Sequence, residues 1–280
     1  MFFKRKTVFD NKADGSDGIT VILTVWKRDH LREQLDCICN QSDQPVRIWV
    51  YQCGNYVDVD NILKGYSGID LIKSTVNLKY FGRFLLAQFV ETRYVFIVDD
   101  DVIPSLNWLN ICRTKCEELN SIISSTGRII PRNDYLPERM INVKDFFYGD
   151  TTSYLGYNFC KADTVVDFGC NSWFIRSDWI KTFWKTAPYT LETAEDIHLS
   201  ASCMLNLDID TVVPKQINEE TSGNLRKDYG KDMYATWLKP DFQESREGVL
   251  RYFIDHLGWT PQLWRMETLT VVVGFLAFLI

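Results

Sequence analysis

Histidine is scarce, at three in 280 residues, and none of the eight cysteines stands in a CxxC pair. That excludes the usual zinc-finger spacings, which need four Cys or His ligands in close register. Basic residues are in deficit as well: 31 Lys and Arg against 37 Asp and Glu leave a formal net charge of -6. Such a chain repels polyanions, so nucleic acid is not an expected partner, and any phosphate-bearing ligand must be held by local basic groups or a metal ion. Internal repeats, Pro-rich linkers and low-complexity segments are also lacking. No uncharged apolar run approaches the roughly 20 residues of a membrane span. The opening Met-Phe-Phe-Lys-Arg-Lys is followed by polar residues up to Gly18, which reads as neither signal peptide nor span. A cytoplasmic location is therefore expected, with the thiols, Cys37, Cys39, Cys112 and Cys116 among them, reduced and buried, and the Asn40-Gln41-Ser42 sequon idle.

What is present is a globular composition, 46% hydrophobic and 24% charged. Residues 19–25 form an apolar, β-branched run, followed by Trp26-Lys27-Arg28 and by Leu31, Leu35 and Ile38 at helical spacing, with Asp29 placed as the cap. Further strands are expected at 46–51, 69–72 and 94–98, with a helix at 84–90 before the last. Strands alternating with helices predict an α/β fold with a mostly parallel sheet, whose ligands bind beyond the carboxyl ends of the strands. The loops 26–28, 52–55 and 99–101 would converge there. Four segments follow: a polar tail at 1–17, an α/β half at 18–144, a second half at 145–268 and an apolar tail at 269–280. The third is rich in aromatics, Tyr148, Tyr154, Tyr157, Phe159, Phe168, Trp173, Trp179, Phe183 and Trp184 among them, most of which should pack the core.

The sharpest feature is Asp99-Asp100-Asp101, which follows the apolar run Tyr94-Val95-Phe96-Ile97-Val98 without a break. Three carboxylates fixed at a strand end repel one another and raise one another's pKa unless a hard divalent cation such as Mn2+ or Mg2+ lies among them. An acidic turn capping the helix near residues 105–108 is the plain alternative, but a cap needs only one carboxylate. Asp99 and Asp101 also mimic aspartyl-nucleophile phosphatases, in which one Asp accepts phosphate. That motif normally opens its domain, whereas here nearly a hundred residues precede it.

Arg28, Asn77 and Arg83 lie near the expected ligand edge and suit ribose and diphosphate oxygens. Farther on, Asp167-Phe168-Gly169-Cys170-Asn171-Ser172-Trp173-Phe174 offers a glycine-containing turn beside aromatics, a possible acceptor-sugar floor. Thr193 and Asp196 fit a helix-capping box, and a carboxylate at a helix start can also serve a reacting sugar carbon.

In this order the residues resemble the exostosin-like glycosyltransferases, over roughly residues 19–261. The resemblance rests on VILTVWKR, NLKYFGRF, VFIVDDD, GCNSWF, AEDI and SREGVLRYFIDHLGWTP. It implies a GT-A-like nucleotide-sugar-binding fold, a UDP-sugar donor and a glycan or glycoprotein acceptor. It also implies Asp101 as the direct metal ligand, Asp99 and Asp100 on nucleotide or sugar hydroxyls, and Thr24 near the uracil. Arg28, Asn77 and Arg83 would lie near the diphosphate, and Asp196 and Arg246 would flank the reacting carbon. Three departures stand out: the spacing from Asn77 to Arg83, Ala194 in place of the family's Cys, and no counterpart of the animal members' membrane anchor. They point to a compact relative such as those of large DNA viruses (chlorella virus type), in the host cytoplasm, with UDP-xylose beside UDP-N-acetylhexosamine as donor. Direct deprotonation by Asp196 would invert the sugar; attack from the leaving-group side, steadied by Asp196 and Arg246, would retain it. A Mg-dependent phosphatase and a non-catalytic carbohydrate-binding module are the rival functions. Residues 269–280, about 18 Å long as a helix, are too short to cross a bilayer and are expected either to rest on a membrane surface or to pack as a core strand.

Overall fold

The computed structural model describes residues 6–7, 17–131, 135, 140–142, 159–227 and 230–265. The apolar tail at 269–280 and the aromatics Tyr148, Tyr154 and Tyr157 lie outside them. Among the described residues, nine strands form one sheet: β1 (Ile19–Val25), β2 (Arg47–Cys53), β3 (Ile69–Ser74), β4 (Tyr94–Val98), β5 (Ile122–Ile129), β6 (Ile141–Asn142), β7 (Thr164–Val166), β8 (Phe168–Arg176) and β9 (Thr211–Val213). Their spatial order is β3-β2-β1-β4-β8-β5-β9-β7, with β6 on β5. Helices α1 (Leu31–Ile38), α2 (Val59–Leu63), α3 (Phe81–Leu86) and α4 (Trp108–Leu119) connect the first strands. Later come α5 (Ser177–Ile180), α6 (Glu195–Leu207) and α7 (Phe242–Arg251). A separate two-residue parallel ladder joins Lys6–Thr7 to Tyr66–Ser67.

The expected α/β architecture is present. Strands β3, β2, β1 and β4 are all parallel, as the alternation of strand and helix requires. The second half makes the sheet mixed, because β8 runs antiparallel to both β4 and β5. Strand β4 therefore sits in mid-sheet, and all five of its residues are buried, which is why its sequence is apolar throughout and does not alternate. The chain runs from β1 outward to β2 and β3, then returns to β4 on the other side of β1. Such a reversal opens a crevice at the carboxyl ends of β1 and β4, the usual ligand position in open α/β sheets.

Local readings needed correction at three helix starts. The residue before α1 is His30, with no side-chain cap bond, so Asp29 does not cap it. Helix α3 begins at Phe81, earlier than expected, and passes into a 3-10 turn at Ala87–Phe89. Gly82 permits that start, since a Cβ there would stand 2.5 Å from the Tyr51 hydroxyl. Thr193 and Asp196 form no capping box: α6 starts after Ala194, which has φ 63 and no side-chain cap bond. The Asp196 carboxylate is engaged elsewhere, as described below.

The aromatic-rich stretch divides as composition suggests. Trp173, Trp179 and Phe183 are buried in the main core, while Trp184 is partly exposed. All eight cysteines are free thiols and seven are buried. Among the described residues no helix is long and apolar enough to cross a membrane.

Candidate active site

At the crevice between β1 and β4 lies a cavity of about 740 Å3, within the size range of small-molecule sites. All nine residues singled out from the sequence line it: Thr24, Arg28, Asn77, Arg83, Asp99, Asp100, Asp101, Asp196 and Arg246. They come from the ends of β1 and β4 and the loops that follow them, the approach to α3 and its first turn, the start of α6 and the middle of α7.

The acidic loop is held rigidly. The Gln34 side chain, buried on α1, donates to the carbonyls of Asp99 (2.7 Å) and Val102 (3.0 Å). From the opposite side, the Asp99 backbone N–H donates to the Asn171 carbonyl at 2.9 Å. These bonds fix where the three carboxylates leave the strand end.

Sequence reasoning left the charge of that cluster to a cation, but the chain itself supplies much of the compensation. Arg28 donates to Asp100 Oδ1 at 2.6 Å and stands 3.6 Å from Asp101 Oδ2. Arg83 is ion-paired with Asp99 and, at 2.8 Å, with Glu195 Oε1. Burial pushes the Asp99 carboxyl up despite Arg83, and the neighbouring Asp101, Glu195 and Asp100 add to the shift. Asp100 rises for the same first reason, with Arg28 opposing. Glu195 is raised by burial and by the adjacent Asp196. Asp101 Oδ2 accepts the Gly230 backbone N–H at 3.1 Å.

At the other end, Asp196 and Arg246 form a two-bond pair, Nη1 to Oδ1 at 3.0 Å and Nη2 to Oδ2 at 2.9 Å. Both residues are buried. Asp196 Oδ1 also accepts the Ile197 backbone N–H at 2.8 Å, and the Cys170 thiol lies 3.7 Å from Oδ2. Burial, together with the Asp196 charge, pushes that thiol up to about 12, so it remains protonated.

Several residues that line the cavity or hold its lining had no sequence signal. Asp232 grips Arg28 at 2.7 Å and 3.1 Å from 204 residues away, and the bond holds its carboxyl below the usual range. The same segment brings Tyr234 edge-on to Trp26 and joins Thr236 to the Tyr80 hydroxyl at 2.7 Å. Glu195, beside Asp196 in AEDI, also lines the cavity and pairs with Arg83. Asn77 sits at the exposed rim, where its Oδ1 accepts the Lys79 backbone N–H at 2.8 Å.

Backbone strain collects here. Lys79 (φ 50), Asn171 (φ 72) and Ala194 (φ 63) occupy the left-handed region at or next to cavity positions, a cost of the kind found at ligand sites. Thr24 Oγ1, Arg83 Nε and Asn171 Nδ2 are buried without a hydrogen-bond partner. All three belong to residues that line the cavity, and unmet polar atoms there are ones a ligand can satisfy.

Fold and crevice thus define an α/β protein with a polar, arginine- and carboxylate-lined ligand site. No family model matches the chain, and no curated protein matches it. Among solved structures it is similar to S. aureus TarS 1-349, at 14% identity and TM-score 0.46, over 71% of this chain and 60% of that one. It is also similar to the structure of S. aureus TarS, at 15% identity and TM-score 0.47, over 87% of this chain and 44% of that one. The chain therefore spans less than two thirds of either.

Proposed function

We propose that the chain is a glycosyltransferase of GT-A-like, exostosin-like type, moving a sugar from UDP-xylose or a UDP-N-acetylhexosamine to a hydroxyl of a glycan or glycoprotein. The observation that carries this reading is the single crevice in which Thr24, Arg28, Arg83 and the three aspartates meet the Asp196–Arg246 pair. Thr24 offers an unpaired hydroxyl to the uracil, and Arg28, Asn77 and Arg83 offer donors to ribose and diphosphate. Arginine forks suit phosphate oxygens, and fixed positive charge favours loss of a diphosphate leaving group. Asp196 and Arg246 would flank the reacting carbon. Both Asp196 oxygens already accept from Arg246, which favours steadying positive charge at that carbon over accepting a proton.

A divalent cation belongs to the reading. Among the described residues no three His, Cys, Asp or Glu side chains form a ready metal cage. The donor chemistry fits Mn2+ or Mg2+ held by few carboxylates together with substrate phosphates. Asp101 suits that role, because Asp99 and Asp100 are each hydrogen-bonded to an arginine while Asp101 has Arg28 only at 3.6 Å and a backbone N–H on Oδ2. Such a cation would neutralise the departing diphosphate.

A thermal-shift panel tests the reading. UDP with Mn2+ or Mg2+ should raise the melting temperature, by mass action on the native state, more than UDP alone. Stabilisation by phosphate mimics without nucleotide would instead mark a phosphatase, and stabilisation by free sugar a carbohydrate-binding module. A UDP-sugar hydrolysis screen then identifies the donor.

A further inference from the structure

We propose that Asn171 reads the transferred sugar, its side-chain amide donating a hydrogen bond to an oxygen of the donor's sugar ring substituents, a hydroxyl or an acetamido carbonyl. The proposal rests on the glycosyltransferase reading and adds a residue that nothing in the resemblance supplies.

Asn171 lies where the register of β8 against β5 shifts, between Cys170 and Trp173. A bulge of this kind re-aims a side chain out of the regular alternation. Its φ of 72 is one that Asn tolerates better than other residues bearing a Cβ. Glycine would satisfy the same backbone without strain, so the backbone alone does not account for an amide here.

The amide's surroundings point to a ligand. Asn171 lines the cavity, and its Nδ2 is buried with no hydrogen-bond partner. Its own carbonyl is fixed by the Asp99 N–H, and the preceding residue, Cys170, faces Asp196. The amide is thereby anchored between the acidic loop and the Asp196–Arg246 pair, the interval in which a sugar would sit if the diphosphate lies toward Arg28. Thr24 and Arg28, the nucleotide-side groups, belong to β1 and its following loop, and β4 separates β1 from β8 in the sheet. A buried N–H donor left unmade is costly, and a sugar oxygen would meet it.

Calorimetric titration with UDP, UDP-xylose and UDP-N-acetylglucosamine in Mn2+ tests this on wild type, Asn171→Asp and Asn171→Gly. Asp preserves the shape but replaces donors with acceptors; Gly accepts the left-handed backbone, so the fold is kept. Asn171→Gly should bind UDP as wild type does and bind the favoured UDP-sugar about two- to twelvefold more weakly, the loss of one hydrogen bond, and Asn171→Asp, which adds a charge beside the acidic loop, should weaken the UDP-sugar by at least that factor beyond any change in UDP. Weakening with both sugars identifies a shared hydroxyl, and weakening with the acetamido sugar alone identifies its carbonyl. UDP-sugar affinity unchanged in both variants, or UDP and UDP-sugar affinities falling in parallel, overturns the assignment to Asn171 alone. A wild type that binds no UDP defeats the transferase reading and this proposal together.

Discussion

Arg246, on α7, holds both oxygens of Asp196, on α6, at 3.0 Å and 2.9 Å, and the pair is buried at the end of the cavity. Removing one partner of a buried pair leaves the other charge uncompensated, which typically costs about 3–5 kcal/mol. Arg246→Ala should therefore lose stability on that scale in urea unfolding, along with its activity. Asp196→Asn should leave UDP binding close to wild type and lower turnover by roughly a hundredfold or more. Turnover within a few-fold of wild type would reduce Asp196 to a holder of Arg246.

Asp101→Asn should abolish metal-dependent UDP binding and change stability by under about 1 kcal/mol. The amide oxygen can still accept from the Gly230 N–H, and one negative charge leaves a crowded cluster. Mn2+-dependent UDP binding equal to wild type, measured by calorimetry, would remove Asp101 from the metal site.

How far the site could be read beforehand follows from where its residues lie in the chain. Asp99, Asp100 and Asp101 announced themselves because a fully apolar strand ended on them, and β4 is indeed buried throughout. Arg28 stood out for a similar reason, as the residue following the first strand. The ion pairs did not show, because they join distant segments: Arg28 to Asp232, Arg83 to Glu195. Charges that meet only after folding leave no local pattern. Local spacing also favours caps at Asp29 and Thr193, and neither forms. At Thr193 the Arg246 contact took the Asp196 carboxylate, and at α1 the helix begins one residue later, after His30. The antiparallel course of β8 was equally hidden, since strand direction depends on the route of the connection and not on the composition of the strand.

Asp232→Ala should tighten UDP binding by about two- to fivefold. In the structure Asp232 engages Arg28 through both Nε and Nη2, the same fork a phosphate would take. Any diphosphate must compete with it, and a partly exposed ion pair is worth up to about 1 kcal/mol. Affinity for UDP that is unchanged or weaker in this variant would mean that Asp232 does not obstruct the diphosphate.

Asp167 is buried, and its two oxygens accept the backbone N–H groups of Ile130 and Gln262, both at 2.6 Å, tying the end of β5 to the C-terminal segment. Burial raises its carboxyl from 3.8 to about 6, with those two N–H bonds opposing. A carboxyl raised on folding binds its proton more tightly in the native state than in the unfolded chain. Its stabilising contribution is therefore present below pH ~4, declines as pH rises through about 6, and is lost above that, at up to about 1.4 kcal/mol per pH unit in the interval. Asp167→Asn cannot titrate, so the stability difference between wild type and variant should shrink from pH 4 to pH 6 and stay level from pH 7 to pH 8. Urea unfolding at those four values measures it. A difference that stays constant from pH 4 to pH 6 would show that Asp167 titrates alike in both states. In that case its two backbone bonds would offset the whole cost of burying its charge.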